Sequence, residues 1–160
     1  MIRKVSLSDA AAIAAIYNEY VLHTTISFET DALSEAGMRS RIAHVSTAFP
    51  YLVNEEEGRI TGYCYAHPWK DRAAYAATWE TTVYLHPLSK GRGIGTRLMQ
   101  ELIRQCREAG CHSLIACITA DNAASCLFHE RLGFSRVSHF PEVGRKFGQL
   151  LDVVDYQLLL

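Results

Sequence analysis

The chain has 160 residues, of which 49% are hydrophobic and 21% are charged, and its formal net charge at pH 7 is −1. This length suffices for one domain with a buried core. The near-neutral balance and the lack of clustered basic and aromatic residues disfavour nucleic-acid binding. The longest apolar runs are too short to span a membrane, so we expect no membrane partner.

The cysteines indicate neither a disulfide framework nor a zinc site. There are five of them, an odd number, and they form no C-x-x-C pair. Such usage is typical of a reducing compartment, so we expect a cytoplasmic protein that binds no metal. Most of the cysteines lie in apolar runs, where they are expected to be small buried side chains.

The first half of the chain predicts a strand, two helices and a hairpin. "IRKVS" has the pattern of a short strand, and Ser8 or Asp9 precedes apolar residues at helical spacing. After the loop "HTTISFET" a second helix begins at Ser34. In "PYLVNEEEGRITGYCYAHP" two apolar runs flank a turn at 56–58, which predicts a β-hairpin. The connector "HPWKDRAAYA" then leads to the strand "TWETTVYLH".

The second half predicts a glycine-rich loop and alternating helices and strands. The loop "KGRGIG", residues 90–95, precedes a helix that ends near Gly110. "HSLIACIT" predicts a buried strand, and "DNAASCLFHERLGF" predicts a helix that ends at Gly133. Two strands, around 135–139 and 151–159, bring the total to seven. Without repeats or linkers, these elements predict one α/β domain over residues 1–160.

The glycine-rich loop has the chemistry of an anion site, although it matches neither the dinucleotide fingerprint nor the nucleotide P-loop. Gly91, Gly93 and Gly95 permit positive φ and a close approach of the backbone to a ligand. The N-terminus of the following helix favours negative charge, and Lys90 and Arg92 add cations. The alternative is a glycine-rich turn with a solvated basic face.

These features resemble the GNAT superfamily of N-acetyltransferases, which use acetyl-CoA. The cofactor motif of that family, [Q/R]-x-x-G-x-[G/A] between a strand and a helix, is matched by residues 90–95 with Lys90 in first position. Asn122 and "LFHERLGF" also fall at the family's places. The segments "IYNEYVLHTTISFET" and "HPWKDRAAYAATWETTVYLHP" are similar to the phosphinothricin and methionine sulfoximine acetyltransferase branch. The resemblance covers nearly the whole chain.

The resemblance implies a fold and an oligomeric state. The expected fold is a GNAT-like domain with a mixed, mostly antiparallel sheet of seven strands, splayed at its centre and flanked by about four helices. Acetyl-CoA would lie where the fourth and fifth strands separate, as the acetyl donor. Close relatives are commonly homodimers, and the segment "FPEVGRKFGQLLDVVDY" is a candidate for such a contact.

The resemblance also assigns the cofactor site. The backbone at the end of the central strand would pair with the pantetheine arm, and an N–H near Leu85 would polarise the thioester carbonyl. The glycine loop would hold the pyrophosphate. Asn122 would bind the amides of the arm, although from sequence alone it is more often a helix N-cap. The predicted cofactor-binding residues are Val83, Tyr84, Leu85, Lys90, Gly91, Arg92, Gly93, Ile94, Gly95, Thr96 and Asn122.

Two residues are candidates for the base that takes a proton from the attacking amine. Glu80 is a lone carboxylate in a β-branched strand, and its alternative is an outward, solvated position. His129 titrates near neutral pH, and its alternative is a surface or core histidine. The family's tyrosine acid has no counterpart, because Phe128 lies in its place. We expect direct transfer in a ternary complex rather than an acyl intermediate on Cys126.

The acceptor site is predicted from the connector and its neighbours. Lys70, Asp71 and Arg72 lie in the segment that the close branch uses for its substrate, and Arg72 suits a carboxylate or phosphinate. The alternative is a solvated charged loop. Further predicted substrate-binding residues are Thr81, Thr82 and Phe28.

The predicted function is acetylation of the α-amine of a small amino-acid-like acceptor, such as phosphinothricin, methionine sulfoximine or methionine sulfone. One alternative is another amine, namely an aminoglycoside, a polyamine or a protein N-terminus. The mixed charge of the connector speaks against a large cationic acceptor. A second alternative is a module that binds acyl-CoA without catalysis.

Overall fold

The structure is a computed structural model that describes all 160 residues, and it consists of one sheet with two helices on each face. The strands and helices, in chain order, are β1 (Ile2–Lys4), α1 (Ala10–His23), α2 (Glu35–Ser46), β2 (Tyr51–Glu56), β3 (Arg59–Pro68), β4 (Thr78–Leu85), α3 (Ile94–Glu108), β5 (Ser113–Thr119), α4 (Ala123–Arg131), β6 (Ser135–Arg136), β7 (Phe140–Lys146) and β8 (Gln149–Leu159).

The sheet is mixed and mostly antiparallel, as the sequence predicted. Its strand order is β1-β2-β3-β4-β5-β8-β6, and β7 pairs with β8 off this path. Only β4 and β5 are parallel, because the chain crosses over through α3 between them. The predicted α/β class is therefore confirmed.

The sheet opens at its centre, between β4 and β5. These strands are in register at three positions, Thr78↔Ser113, Trp79↔Leu114 and Glu80↔Ile115. The rest of β4, residues 81–85, has no partner on β5. This gap confirms the predicted splay and places Glu80 where the strands separate.

A hydrophobic core lies on each face of the sheet. On one face α1 and α2 bury residues that the helical pattern had predicted, such as Ile13, Ile16 and Met38. On the other face the buried side chains of α3 include Leu98 and Leu102. Burial of each such side chain contributes about 1.5–3 kcal/mol to the free energy of folding. These contacts hold α1 and α3, which border the gap, against the two faces of the sheet.

The turns confirm most predicted boundaries. Glu57 and Gly58 link β2 and β3 with positive φ at both residues, as a tight hairpin requires. Gly110 and Gly133 follow α3 and α4 with φ of 88° and 93°, the left-handed conformation expected just after a helix.

Two predicted helix starts need correction. Asp9 occupies the N-cap position of α1, but its side chain makes no capping hydrogen bond to that helix; the Ser6 side chain caps a single 3₁₀ turn that precedes α1. Asp9 accepts the Ser6 N–H at 2.7 Å and completes a capping box there. The helix after the glycine loop begins at Ile94 rather than Thr96, because Gly93 already adopts the cap position.

The C-terminal segment contains an eighth strand that the sequence did not predict. β7 forms a hairpin with β8 through Phe147 and Gly148, whose φ values are 50° and 73°. The strand was missed because Pro141, Gly144 and several charges interrupt its pattern. β6 is also shorter than expected, since it ends at Arg136.

Candidate active site

The glycine loop leads directly into the N-terminus of α3. Gly91 and Gly93 have φ of 74° and 72°, which a side chain at Cβ would strain. Gly95 has no such φ, and a Cβ there would make ordinary contacts, 3.4 Å from Leu85 Cδ1 and 3.5 Å from Phe128 Cζ. The first N–H groups of α3 have no partner within the helix, and the helix dipole favours an anion there.

The remaining residues of the loop have different surroundings. The Arg92 guanidinium lies 3.0 Å from a Glu56 carboxylate oxygen, so its charge is partly engaged. The Lys90 ammonium lies over the Tyr20 ring, 4.9 Å from its centroid. Thr96 is exposed, whereas the Ile94 side chain is a core residue. Ile94 can therefore contact a ligand only through its backbone, whereas Lys90, Arg92 and Thr96 have exposed side chains.

The backbone of β4 directs polar groups into the gap at every second residue. The His86 N–H donates to the carbonyl of Thr61, which is part of β3, at 2.9 Å. Antiparallel pairs alternate between hydrogen-bonded and non-hydrogen-bonded residues, and the β3–β4 register has no shift. The N–H and C=O groups of Val83 and Leu85 therefore point away from β3, towards the side that β5 has left. An extended ligand can pair, as an added strand, with those of these groups that have no partner in the protein.

The side chains at the end of β4 pack into the two hydrophobic cores. Val83 and Leu85 pack against the α3 side, whereas Tyr84 packs against the α1 side. The side chains of Val83 and Leu85 thus belong to the core. The N–H groups of both residues and the Val83 carbonyl remain available for a ligand, whereas the Leu85 carbonyl accepts a hydrogen bond from the Tyr20 hydroxyl.

Glu80 is half-buried at the point where β4 and β5 separate. Its Oε1 lies 3.9 Å from His67 Nε2 on the neighbouring strand. Burial raises the pKa of the Glu80 carboxyl above its ordinary value; His67 opposes this shift and Asp155 adds to it. A carboxylate with a raised pKa is a stronger base, which suits proton transfer near neutral pH.

His129 is buried on α4, with 4% of its surface exposed. Its Nδ1 lies 2.8 Å from the Ser125 carbonyl oxygen, which can only accept a hydrogen bond. Burial lowers the pKa of His129, so the ring is neutral near pH 7. With the proton on Nδ1, Nε2 carries the lone pair and is the atom that can accept a hydrogen bond.

One cleft joins these groups across the gap. Its volume is about 130 Å³, and it is bordered by the end of β4, by β5 and by the start of α4. The structure therefore brings together both predicted catalytic residues and several of the predicted ligand-binding residues. The lining residues that the sequence had named are Glu80, Thr81, Thr82, Val83, Tyr84, Asn122 and His129.

Asn122 occupies the N-cap of α4 within this cleft. Its Oδ1 accepts the Ser125 N–H at 3.2 Å, so the N-cap interpretation is correct. The Nδ2 group is the part of the side chain that remains for a ligand. A cofactor contact of Asn122 stays a prediction.

The other predicted substrate residues do not all reach the cleft. Lys70, Asp71 and Arg72 are exposed and line a separate shallow depression with Tyr75. The Lys70 ammonium lies 4.1 Å from the centroid of the Trp69 ring. The role of this segment in binding a substrate stays a prediction.

Phe28 lies against β7 rather than in the cleft. It is 42% exposed, and its ring covers Gly144, where a Cβ would overlap Phe28 Cε2. Thr81, by contrast, is buried in the cleft and lies 3.4 Å from the Ile115 carbonyl oxygen. Phe28 is therefore positioned by the β7–β8 hairpin.

The loop between α1 and α2, residues 24–34, borders the cleft and is fixed by distant residues that the sequence did not single out. Thr119 Oγ1 donates to the Thr25 carbonyl oxygen at 2.8 Å. The Lys146 ammonium, 3% exposed, donates to the Ser27 carbonyl oxygen at 2.6 Å. Ile26, between these two points, lines the cleft. No local sequence pattern predicts contacts across such separations.

No group of three or more His, Cys, Asp or Glu side chains is placed to hold a metal ion. All five cysteines are free thiols. The helices all lack the combination of length and apolar character that crossing a membrane demands.

Comparison with known proteins agrees with this geometry. The family described as the acetyltransferase (GNAT) domain matches residues 2–154. The chain is 38% identical over 160 residues to the L-methionine sulfoximine/L-methionine sulfone acetyltransferase of Salmonella typhimurium, covering 99% of this chain and 94% of that protein. It is 39% identical over 155 residues to the phosphinothricin N-acetyltransferase of Alcaligenes faecalis, covering 96% of this chain and 79% of that protein.

Solved structures give the same result. A GNAT superfamily phosphinothricin acetyltransferase from Sinorhizobium meliloti, crystallised in complex with acetyl-CoA, superposes with a TM-score of 0.96 at 33% identity. The similarity covers 100% of this chain and 88% of that one. The chain therefore belongs to the GNAT acetyltransferase family, whose members take the acetyl group from acetyl-CoA.

Proposed function

We propose that this acetyltransferase transfers the acetyl group of acetyl-CoA to the α-amine of a small amino-acid-like acceptor. The observation that carries the proposal is the position of Glu80, whose carboxylate lies in the cleft beside the unpaired edge of β4. This arrangement puts a base next to the backbone that can hold an extended acyl donor. The names of the two relatives described above support an acceptor of the phosphinothricin or methionine sulfoximine type.

In the proposed reaction the acceptor amine attacks directly, with both substrates bound. Glu80 takes the proton from the ammonium or from the attacking nitrogen, directly or through a water. The nitrogen forms a bond to the acetyl carbon, the carbon–sulfur bond breaks, and CoA leaves as the thiolate. A thiolate needs little help in leaving, which fits the place of Phe128 where the family has a tyrosine. His129 Nε2 accepts a hydrogen bond from the amine and orients it.

The donor would be held by backbone more than by side chains. The Val83 N–H and C=O groups pair with the pantetheine arm, and the Leu85 N–H polarises the thioester oxygen. The pyrophosphate lies on the loop of Gly91 and Gly93 at the start of α3. These assignments are supported by the free edge of β4 and by the positive φ of both glycines.

The acceptor's acidic group would meet the connector between β3 and β4. Lys70 and Arg72 are exposed there, outside the cleft, and the Lys70 ammonium lies over the Trp69 ring. We propose that these two residues and Asp71 bind the part of the acceptor that extends beyond the cleft. Thr81 and Thr82 line its interior.

We also propose that the enzyme acts as a homodimer. The β7–β8 hairpin and its surroundings expose large apolar side chains, including Val143 at 58% and Phe147 at 59%. A second copy of the chain would cover such a surface. The expected cytoplasmic location rests on cysteine usage alone.

A thiol-release assay with purified protein, acetyl-CoA and a panel of amines tests the proposal. The panel contains phosphinothricin, methionine sulfoximine, methionine sulfone, ordinary amino acids, a polyamine, an aminoglycoside and a short peptide. We expect turnover with the first three. Turnover confined to the other amines would contradict the proposed acceptor, and binding of acetyl-CoA without any turnover would favour a non-catalytic module.

A further inference from the structure

Tyr20 on α1 donates a hydrogen bond to the end of the central strand. Its side chain is almost completely buried, with 5% exposed, and its hydroxyl lies 2.5 Å from the Leu85 carbonyl oxygen. The two residues are 65 positions apart in the chain. A carbonyl oxygen can only accept, so the Tyr20 hydroxyl is the donor.

The Leu85 carbonyl, which accepts this hydrogen bond, has no hydrogen-bond partner on a neighbouring strand. The carbonyl of Leu85 points away from β3, and β5 is paired with β4 only as far as Glu80. Tyr20 thus supplies the partner that a neighbouring strand would supply in a closed sheet. Because carbonyl and N–H are fixed in adjacent peptide planes, holding this carbonyl also restricts the backbone around Leu85.

The ring of Tyr20 contacts the start of the glycine loop as well. The Lys90 ammonium lies 4.9 Å from its centroid, within the range of a cation–π interaction. On the same side of α1 the ring packs against Tyr84, with centroids 4.9 Å apart. One side chain therefore touches the strand end at 84–85 and the first residue of the loop at 90.

We propose that Tyr20 is a positioning residue of the acetyl-CoA site. Its hydroxyl fixes the backbone of Leu85, and its ring fixes the Lys90 side chain at the entrance to the glycine loop. Tyr20 thereby holds the end of β4 and the glycine loop, which bind different ends of the donor, in a fixed relative position. It does not itself touch the reacting atoms. This inference rests on the proposed role of residues 83–96 in binding acetyl-CoA.

Tyr17 provides a matched control on the same helix. It lies three residues before Tyr20, and its ring also packs against Tyr84, with centroids 5.2 Å apart. Its hydroxyl, however, bonds to Ser27 Oγ at 2.8 Å, on the loop between α1 and α2. Each substitution removes one hydroxyl from α1. Loss of the Tyr20 hydroxyl frees the end of β4, whereas loss of the Tyr17 hydroxyl frees the loop between α1 and α2.

The test compares Tyr20→Phe, Tyr20→Leu and Tyr17→Phe by calorimetric titration with acetyl-CoA, which requires no acceptor. Tyr20→Phe removes one hydrogen bond and should raise the Kd for acetyl-CoA by about two- to tenfold. Tyr20→Leu also removes the cation–π contact and should raise it by about a further two- to fivefold. Tyr17→Phe should leave the Kd for acetyl-CoA unchanged.

Steady-state kinetics and thermal unfolding separate positioning from a general structural effect. In Tyr20→Phe the KM for acetyl-CoA should rise while the KM for the acceptor and the Tm stay close to wild type. A wild-type Kd for acetyl-CoA in Tyr20→Phe would overturn the proposal. So would an equal loss of affinity in Tyr17→Phe. Since the titration contains no amine, failure of every proposed acceptor leaves this result interpretable.

Discussion

The two sides of the cleft are built in different ways. Apart from the predicted contact of Asn122 and the support from Tyr20, the cofactor side comes from one continuous stretch, residues 83–96, in which a strand end, a glycine loop and a helix start follow each other. The acceptor side combines residues that are far apart in sequence. Ser27, for example, is held by Lys146, and Thr25 is held by Thr119.

This difference has a physical origin. A bound phosphate needs free N–H groups and positive φ, which a short run of glycines supplies locally. An acceptor pocket needs side chains at set distances from the attacked carbon, and only the packed sheet brings those together. We therefore expect changes on the cofactor side to affect acetyl-CoA alone, and changes on the acceptor side to affect the amine alone.

Glu80 lies where the two sides meet, and its substitution should have the largest effect. Glu80→Gln keeps the shape of the side chain but removes the base, so kcat should fall by about 10²–10³-fold. Affinity for acetyl-CoA, measured by calorimetric titration, should not change. A variant that retains wild-type kcat would exclude Glu80 as the base.

The pH dependence of the rate should show the same carboxyl group. Because the pKa of Glu80 is raised, the active carboxylate form exists above that raised value, and activity is lost as the pH falls through it. Below this point kcat/KM should fall about tenfold per pH unit. Initial rates across a pH series measure it.

Two variants identify the group that causes this loss of activity at low pH, the acid limb of the pH profile. Glu80→Gln should abolish the limb. His129→Gln should lower the rate but keep the limb, because it leaves the Glu80 carboxyl in place. Loss of the limb in His129→Gln alone would transfer the role of base to the histidine.

Gly93→Val tests the cofactor side. Valine is strained at a φ of 72°, by about 1–2 kcal/mol, and its side chain also crowds the approach to the loop. We expect the KM for acetyl-CoA to rise about tenfold or more, since a 1.4 kcal/mol loss of binding is already tenfold.

Gly58→Val is the matched control, because Gly58 has a φ of 75° in the β2–β3 turn, where a Cβ would meet no atom within 4 Å. This variant should lower the Tm by a few degrees and leave both KM values unchanged. A similar increase of KM in both glycine variants would show that backbone strain acts through the whole fold rather than through the loop.

Lys146→Met tests the acceptor side and should have the smallest of these effects. It removes the hydrogen bond to the Ser27 carbonyl and loosens the loop beside the cleft, so the KM for the acceptor should rise about two- to tenfold. The KM for acetyl-CoA should stay unchanged. Arg145→Met, on the adjacent exposed residue, is the control and should alter neither value. An increase confined to acetyl-CoA would contradict the separation of the two sides.

The features that depend on neighbouring residues were predictable from sequence. The β2–β3 turn at 56–58, the helix ends at Gly110 and Gly133, and the helical faces of α1 and α3 all follow from local propensity and period. The resemblance to a known family, carried by residues 90–95 and by "TWETTVYLHP", made the splayed sheet and the family itself predictable as well. β7 was missed because its pairing with β8 outweighs its poor strand pattern.

The sequence by itself determined the domain class, the acetyltransferase family and the position of the glycine loop, because each depends on short-range patterns. Tertiary structure alone decided that Tyr20 meets Leu85, that Lys146 holds Ser27, and that Lys70 and Arg72 lie outside the cleft. It also decided the surroundings of His129 and Glu80, and with them the direction of each pKa shift. Burial and long-range hydrogen bonds depend on which elements pack together, and no window of neighbouring residues contains that information.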